Sequence, residues 1–600
     1  MYSSRRALTR AARLGCPGQR RPVDAAQRQW PRHASNASSQ APRGRRGRAF
    51  GFAAVFATAA AAAYFYPTLT SPAVEQSDPA VPQRTQVEFE KARKHGASKE
   101  DNRALISSQH VQIKNSFEHP GVYAWGSNTG KVIDPSSEEK YVKLPRRIAF
   151  FNDQLLRDLK LTQTFGAAIA ENGDLVQWGL GYCKGDPQPR TSLKGKDLIK
   201  IDVSADRIVA LSRNGTVYSL PASRDDQEAG AKQEQQKSSW SLWKAGGKEG
   251  ISFRNLTPKT LGRGEKVSGI SSGLEHCLLL TSKGRVFSAA SSATSFPSKG
   301  QMGIPGLSWE TRPEGAYDQA QEISSLKGVE VAQIATGDYH SAVLDKAGRL
   351  YSFGDNTYGQ LGCEVEGLLP YLSTPCMVST NKLYANSGLA PKVTSIAAGG
   401  TNTFFTVDAE ARLGEVPAAA PARRMPRTTS DLWACGQGVS GTLGTGKWTH
   451  VSQAPTKVKA LSSLFEFDEK TNKMMAIKLK SMSVGATHCS AVMDNVTNTD
   501  ISSRSTENET NWGSDVMFWG GNEHYQLGTG KRTNMNAPTY IGPLDGGESD
   551  ADKGRQGEAH RLCLTPRSTS RIGEGGKGRK VTLEQKVECG VFVTGVYSAA

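Results

Sequence analysis

The sequence VAQIATGDYHSAVLDKAGRLYSFGDNTYGQLG, residues 331–362, decides the fold. It alternates short apolar runs with turns: VAQIA, a Gly-x-x-His turn (Gly337 to His340), SAVL, a turn at Ala347-Gly348, RLYSF, and a Gly-Gln-Leu-Gly turn that ends at Gly362. Short apolar runs bounded by Gly, Asp or Asn are typical of short antiparallel strands. The stretch therefore predicts one small sheet of a repeated structure.

Two parts of this pattern recur seven times each. The aromatic run begins at Val122, Leu175, Val217, Val286, Leu350, Leu432 and Val516. The Gly-centred run begins at Thr164, Ser204, Ser272, Thr336, Gly399, Val484 and Cys589. The first aromatic run, at Val122, has no Gly-centred run before it, and the last Gly-centred run, at Cys589, has no aromatic run after it. A ring closed by pairing the C-terminal strands with the N-terminal strand would supply each run with its missing partner. We therefore predict an all-β fold, a seven-bladed β-propeller, over residues 119–600.

The repeat also selects positions with a structural role. They are Gly337, His340, Gly354, Asn356, Gly359 and Gly362 of the first stretch, His276 and His488 at the position of His340, and Trp125, Trp178 and Trp519 of the aromatic runs. A metal site is the alternative for the histidines, but it requires ligands that converge, and a propeller spreads equivalent positions around its axis. We expect buried histidines that bond to neighbouring backbone.

These residues resemble the regulator of chromosome condensation repeat family, which has Gly-x-x-His-Ser, an aromatic run ending in Gly-x-Asn, and Gly-Gln-Leu-Gly. The resemblance covers most of residues 121–600 and is close at 331–362 and 484–530. It implies a propeller. The runs at Val217 and Val286 depart from the pattern because they lack the Trp-Gly-x-Asn element.

The N-terminal residues 1–48 contain twelve Arg and one acidic residue, which is +11 of the formal net charge of +17. Basic, Ser-rich and acid-poor composition, with Arg5, Arg6, Arg10 and Arg13 early in the chain, is typical of a mitochondrial transit peptide. A disordered basic arm that binds nucleic acid is the alternative.

Residues 49–66 form an uncharged, Ala-rich run of eighteen residues, which is long enough to cross most of a bilayer as one transmembrane helix. Basic and aromatic residues flank it, namely Arg45, Arg46, Arg48, Tyr64 and Tyr66. A buried core helix is the alternative. The basic flank predicts residues 1–48 in the matrix and the propeller in the intermembrane space, with a linker and partly helical connector at 67–118.

None of the other sequence motifs indicates a catalytic or ligand-binding site. Residues 441–447 match the start of a phosphate-binding loop, but Trp448 stands where a Ser or Thr must contact magnesium. We expect no enzyme, no cofactor and no metal. Two long insertions, 408–430 and 494–515, expand the same hairpin position, so both should emerge on one face, either as disordered loops or as partner contacts.

The combination of presequence, anchor, connector and propeller resembles a fungal mitochondrial inner-membrane member of the repeat family linked to assembly of the cytochrome bc1 complex, respiratory complex III. That resemblance implies a non-enzymatic scaffold whose partners are complex III subunits or assembly intermediates. One alternative is guanine-nucleotide exchange on a small GTPase, although the exchange loop of the founding member finds no residue-by-residue match. Another is an organiser of mitochondrial translation or RNA, which the modest charge of residues 67–600 disfavours, so no nucleic acid is expected.

Overall fold

The computed structural model describes the propeller and the end of the connector. The described residues are 108–232, 250–363, 370–411, 428–468, 473–495, 498–499, 510–511, 513–545 and 560–600. The predicted transit peptide, the predicted span 49–66 and most of the connector lie outside them. Within these ranges, no helix is both long enough and apolar enough to cross a bilayer.

Within the described ranges, three short α-helices accompany the strands: α1 (Ser108–Glu118), α2 (Arg224–Ala229) and α3 (Thr380–Leu383). Helix α1 is the part of the connector that the structure describes. Its Ile113 and Phe117 pack with Leu155, Val581 and Leu583, so the helix is anchored on the propeller.

The two ends of the propeller share a nine-stranded sheet. Its strands are β1 (Val122–Ser127), β2 (Tyr141–Arg147), β3 (Leu156–Leu161), β4 (Gly166–Ala170), β5 (Leu175–Trp178), β6 (Arg190–Leu193), β32 (Ser568–Arg571), β33 (Lys580–Cys589) and β34 (Val593–Ala599). Strand β34 pairs with β1 in antiparallel register, from Val122 opposite Tyr597 to Gly126 opposite Val593. The predicted pairing of the C-terminal strands with the N-terminal strand is therefore confirmed.

Five further sheets are separate blades. Their strands, blade by blade, are β7 (Leu198–Val203), β8 (Arg207–Ser212), β9 (Val217–Pro221) and β10 (Arg254–Asn255); β11 (Val267–Ser272), β12 (His276–Thr281), β13 (Val286–Ala290) and β14 (Gln321–Glu322); β15 (Val331–Thr336), β16 (His340–Asp345), β17 (Leu350–Asp355) and β18 (Tyr371–Met377); β19 (Leu389–Gly399), β20 (Asn402–Ala411), β21 (Thr428–Gly438) and β22 (Thr449–Lys457); and β25 (Leu479–Val484), β26 (His488–Met493), β29 (Ser514–Gly520), β30 (Met535–Thr539) and β31 (Cys563–Leu564).

The predicted number of blades is wrong. The structure has five separate blades rather than seven, because Leu156 of β3 pairs in parallel with Ala599 of β34 and joins the strands on either side into the nine-stranded sheet. The backbone N–H of Ala600 also donates to the Leu156 carbonyl, at 2.9 Å. The predicted transmembrane helix at 49–66 stays a prediction, because that segment lies outside the described residues.

The innermost strands lie side by side around the centre in a closed order: β3, β7, β11, β15, β19, β25 and β33. The core lies between neighbouring sheets. For example, Ile169 and Leu175 of one sheet pack with Ile201 and Ile208 of the next. Burying both faces of each sheet in this way leaves only the outer strands as edges.

The long insertions extend hairpins. Strands β20 and β21 pair out to Glu410 opposite Thr428, and a small ribbon, β27 (Asn498–Thr499) with β28 (Thr510–Asn511), lies between β26 and β29. A second ribbon, β23 (Phe465–Asp468) with β24 (Lys473–Ala476), precedes β25. The prediction that both insertions fall between the second and third strands of their blades is confirmed; their central residues lie outside the described ranges.

Candidate protein-binding surface

The repeat histidines connect neighbouring blades. Three ring nitrogens reach a hydroxyl of the next blade: His276 Nε2 to Ser341 Oγ (2.9 Å), His340 Nε2 to Thr403 Oγ1 (2.8 Å) and His488 Nε2 to Thr594 Oγ1 (2.7 Å). Each hydroxyl donates in turn to a glutamine carbonyl, on Gln301, Gln360 and Gln526, at 3.0, 2.7 and 2.6 Å. Because the hydroxyl hydrogen is used, the histidine Nε2 must be the donor in the first bond.

This chain of bonds requires neutral, fully buried histidine rings. Burial lowers the pKa of His276 to about 3, of His340 to about 4 and of His488 to about 3. The Gly-x-x-His spacing has a steric reason, because a Cβ at Gly337 would collide with the ring of His340. The histidines are therefore structural links between blades, each in a separate place.

The tryptophans repeat the same principle. Their indole N–H groups donate to turn carbonyls. Trp125 donates to Gln526 O (2.9 Å) and Trp519 to Thr442 O (2.7 Å), each in a neighbouring sheet, and Trp178 donates to Val132 O (2.7 Å) within the nine-stranded sheet. Thus Gln526 O accepts both the indole of Trp125 and the hydroxyl of Thr594 at the point where the ring closes.

The remaining repeat residues shape the turns. Gly354, Gly359 and Gly362 have φ of +106°, +75° and +60°, a region that favours glycine. Asn356 Oδ1 accepts the N–H of Leu361 at 3.2 Å and holds the Gly-Gln-Leu-Gly turn. The predicted targeting and anchor residues, Arg5, Arg6, Arg10, Arg13, Arg45, Arg46, Arg48, Tyr64 and Tyr66, lie outside the described residues.

Sequence reasoning missed the acceptors of these bonds. The hydroxyls lie directly after the histidine position of the next repeat, and the backbone carbonyls belong to the glutamine of the turns Gly-Gln-Met-Gly (300–303), Gly-Gln-Leu-Gly (359–362) and Tyr-Gln-Leu-Gly (525–528). A Ser or Thr at that position, paired with a glutamine-containing turn of this kind one repeat earlier, is the signal that could have found them. The same signal identifies the variant turn Gly-Gln-Met-Gly at 300–303 in a blade that seemed to lack the pattern.

A charged cluster lies among the innermost strands. Lys160 Nζ is 2.9 Å from Glu588 Oε1 and 3.7 Å from Asp202 Oδ1, so it links β3 with β33 and β7. Burial raises the pKa of Glu588 to about 7, although Lys160 opposes the change. Burial would lower the pKa of Lys160, but the carboxylates of Asp202 and Glu588 outweigh it and raise that pKa. The cluster holds inner strands together.

A polar cavity of about 280 Å³ lies between β25 and β26 on one side and β33 and β34 on the other. Ser483, Ser490, Ser514 and Gln585 are among its lining residues, and the Lys480–Glu584 ion pair (2.6 Å) borders it. Across the described ranges, no group of three or more His, Cys, Asp or Glu side chains could hold a metal ion.

An apolar group is exposed where β21 turns into β22. Thr449 pairs with Gly438 and Val451 with Gln437, so Val439 and Trp448 flank paired positions. Val439, Trp448 and Val451 are 50%, 57% and 41% exposed. We call these three residues the Trp448 patch. Exposed tryptophan beside aliphatic residues is typical of protein-binding surfaces.

Comparison with known proteins agrees with this architecture. Profiles of the regulator of chromosome condensation (RCC1) repeat match residues 331–360 and 347–406. The chain carries regulator of chromosome condensation repeats. The second profile spans the turn before Leu350, strands β17 and β18, and the inner strand of the next blade, so the RCC1 repeat is offset from the blade.

Similar proteins extend the likeness beyond these repeats. The chain is 27% identical over 456 residues to the protein FMP25, mitochondrial, of Saccharomyces cerevisiae, covering 71% of this chain and 67% of the relative. It is 25% identical over 356 residues to the human E3 ubiquitin-protein ligase HERC2, covering 55% of this chain but only 6% of that relative. Among solved structures, human WBSCR16 has a similar fold, with a TM-score of 0.50 and 17% identity over 80% of this chain and 99% of that one.

Proposed function

We propose that the protein is a mitochondrial, non-enzymatic scaffold that binds other proteins and acts in the assembly of respiratory complex III. The observation that supports the scaffold role is that the polar side chains of the repeat form hydrogen bonds between blades. His276, His340 and His488, which a catalytic site could have used, are buried in blade-to-blade bonds. What such a ring offers to solvent is its turns and outer strands, including the Trp448 patch.

Two observations support the mitochondrial location. The first 48 residues have the composition of a transit peptide, and the relative from S. cerevisiae is named as a mitochondrial protein. The complex III role is the finer part of the proposal, and its support is the resemblance of the whole domain arrangement. Fold alone does not give function, so this part needs a direct test.

The test is a native gel of respiratory complexes from mitochondria that lack the protein. We expect loss of complex III, or a stalled complex III intermediate, with complex V unchanged. Normal complex III would contradict the assembly role. Cell fractionation with an antibody to the chain tests the location independently, since a pool outside mitochondria would contradict that part.

A point variant tests the Trp448 patch. Trp448→Ala should reduce complex III in a complemented deletion strain, because loss of a central tryptophan typically weakens an interface about tenfold or more. Trp309→Ala is the matched control. Trp309 is also exposed, at 53%, but Phe296 and Arg312 of its own loop pack against its ring. Equal effects of the two changes would argue against a specific role for the patch.

A further inference from the structure

A cationic and aromatic surface lies where the ring closes. Tyr141, Lys143 and Leu144 of β2 meet Tyr525 and Arg532, which follow β29. The rings of Tyr141 and Tyr525 are 5.8 Å apart, Lys143 Nζ is 5.7 Å from the Tyr525 ring, and Arg532 Cζ is 5.4 Å from the Tyr141 ring. Leu144 beside them is 56% exposed. We call these five residues the seam surface.

Tyr525 has a backbone conformation that bulky residues rarely adopt. It occupies the first position of the Gly-Gln-Leu-Gly turn, since its N–H donates to Asn522 O as that of Gly359 donates to Asn356 O. The turns at Gly359 and Gly441 have glycine there, with φ of +75° and +80°, and the turn after β1 has Lys131 with φ of +55°, whereas Tyr525 has φ of +65°. A bulky residue in this region is strained, and such strain often marks a functional side chain.

Among the described residues, the cations of the seam surface have no acidic partner. Arg146, on the same strand as Lys143, pairs with Asp134 and Glu139 at 3.2 and 2.8 Å. By contrast, no ion pair joins Lys143 or Arg532 to any carboxylate in the described part of the chain. The Arg532 Nε–H donates to the backbone carbonyl of Glu523, at 2.7 Å, which fixes the guanidinium and leaves its positive charge uncompensated.

Neighbouring residues hold the aromatic side chains of the seam surface in place. His524 stacks on Phe592 with ring centroids 4.3 Å apart, and it contacts Tyr141 at 5.8 Å. Gln526 O accepts the Thr594 hydroxyl of β34 at 2.6 Å and the Trp125 indole of β1 at 2.9 Å, so the turn that carries Tyr525 is tied to the closing strands. A partner would therefore meet side chains that are already held in place, which reduces the entropy cost of binding.

We infer that the seam surface docks an acidic segment of a partner protein. Carboxylates of that segment would pair with Lys143 and Arg532, and an apolar or aromatic side chain would pack on Leu144 and the tyrosine rings. Guanidinium groups bind carboxylates in a forked geometry, and Tyr and Arg are the side chains that dominate protein interfaces. The inference rests on the proposed scaffold function, but it does not require the partner to belong to complex III.

An internal role for the same residues makes a different prediction. If Tyr525 served only to clamp the closing strands, Tyr525→Gly would lower the unfolding temperature. If its side chain serves a partner, Tyr525→Gly relieves the strained backbone, so the unfolding temperature should not fall, while binding should weaken. A lower unfolding temperature with unchanged binding would overturn the inference.

Binding is measured with the full chain and two fluorescein-labelled peptides, one of alternating Glu and Phe and one with Gln in place of each Glu. We expect the Glu peptide to bind at low salt and to weaken as salt rises. Arg532→Glu should weaken it at least about tenfold, and the neighbouring Lys531→Glu should change it by less than about twofold. Equal binding of both peptides, or equal effects of both substitutions, would overturn the inference.

The natural partner is identified in mitochondria by a photo-reactive benzoyl-phenylalanine placed at Tyr525. The inference expects the cross-linked peptide to carry net negative charge, and a neutral or basic peptide would overturn it. A cross-link to an acidic segment outside complex III would support the docking surface while contradicting the complex III role, so the two proposals can fail separately.

Discussion

Buried histidine is the residue on which each blade-to-blade link depends. The ring must stay neutral, because its Nε2–H donates to a hydroxyl, and among the described residues Nδ1 of His276, His340 and His488 has no partner. Unfolded histidine takes up a proton near pH 6.5, whereas burial keeps these three neutral down to about pH 3 or 4. The unfolded chain therefore binds more protons below pH 6.5, and stability falls as the pH is lowered.

We predict that His488→Gln reduces this acid sensitivity. Each buried histidine should cost about 2 kcal/mol of stability at about pH 5 relative to neutral pH, and glutamine cannot take up the proton. The variant should lose about 1 kcal/mol at neutral pH through an imperfect bond to Thr594, yet lose less than the parent at low pH. Urea unfolding at both pH values measures this. His450→Gln, at an exposed position, is the control, and parallel pH curves for His488→Gln and the parent would contradict the prediction.

Strands with strong local patterns were predictable, and those without were not. The apolar runs at Leu350 and Val516 form β17 and β29, because each is a short run of almost fully buried residues bounded by turn residues. Outer strands β10 and β14 are two polar residues each, Arg254–Asn255 and Gln321–Glu322, and follow long insertions, so no pattern marks them. The pairing of Leu156 with Ala599 joins residues from opposite ends of the propeller, and no local signal predicts it.

Some residues of the candidate functional site could be predicted from the sequence, and others could not. The sequence predicted the histidine and tryptophan positions, because they repeat. The seam surface was not predictable, because it depends on which strand lies beside the Tyr525 turn after closure. The aligned repeats do contain one clue, namely a tyrosine where the turns at Gly359 and Gly441 have glycine.

At the level of elements, we predict that Gly590→Ala weakens the closure. The N–H of Gly590 donates to Val593 O in the turn between β33 and β34, and a Cβ there would collide with the carbonyl of Leu161 on β3. Because the obstacle is backbone, we expect a loss of about 2 kcal/mol or more. Gly185→Ala, in open space, should change stability by less than about 0.5 kcal/mol. The test is to measure the unfolding temperatures of both variants. Similar unfolding temperatures would contradict the prediction.

The whole ring is held at its centre as well as at its edge. Backbone pairing of β34 with β1 closes the ring. At the centre, Lys160 of β3 contacts Glu588 of β33, the last inner strand, and Asp202 of β7, the next inner strand. Burial is the main reason why the pKa of Glu588 rises to about 7; the charges of Asp158 and Asp202 raise it further, and Lys160 opposes the change. Ring closure should therefore respond to pH in the opposite sense to the histidines.

We predict that Glu588→Gln gains stability relative to the parent as the pH rises from about 4.5 to about 7. In that window folded Glu588 keeps its proton while the unfolded side chain, with an ordinary pKa of 4.5, loses it, so the parent loses about 2 to 3 kcal/mol. Glutamine has no proton to lose, and Lys160 keeps Asp202 as its partner. The difference in urea midpoint between variant and parent measures this. Glu584→Gln, on the same strand, controls for the change in net charge. A difference that stays constant with pH would show that Glu588 is ionised in the folded ring, and that Lys160 compensates its burial fully.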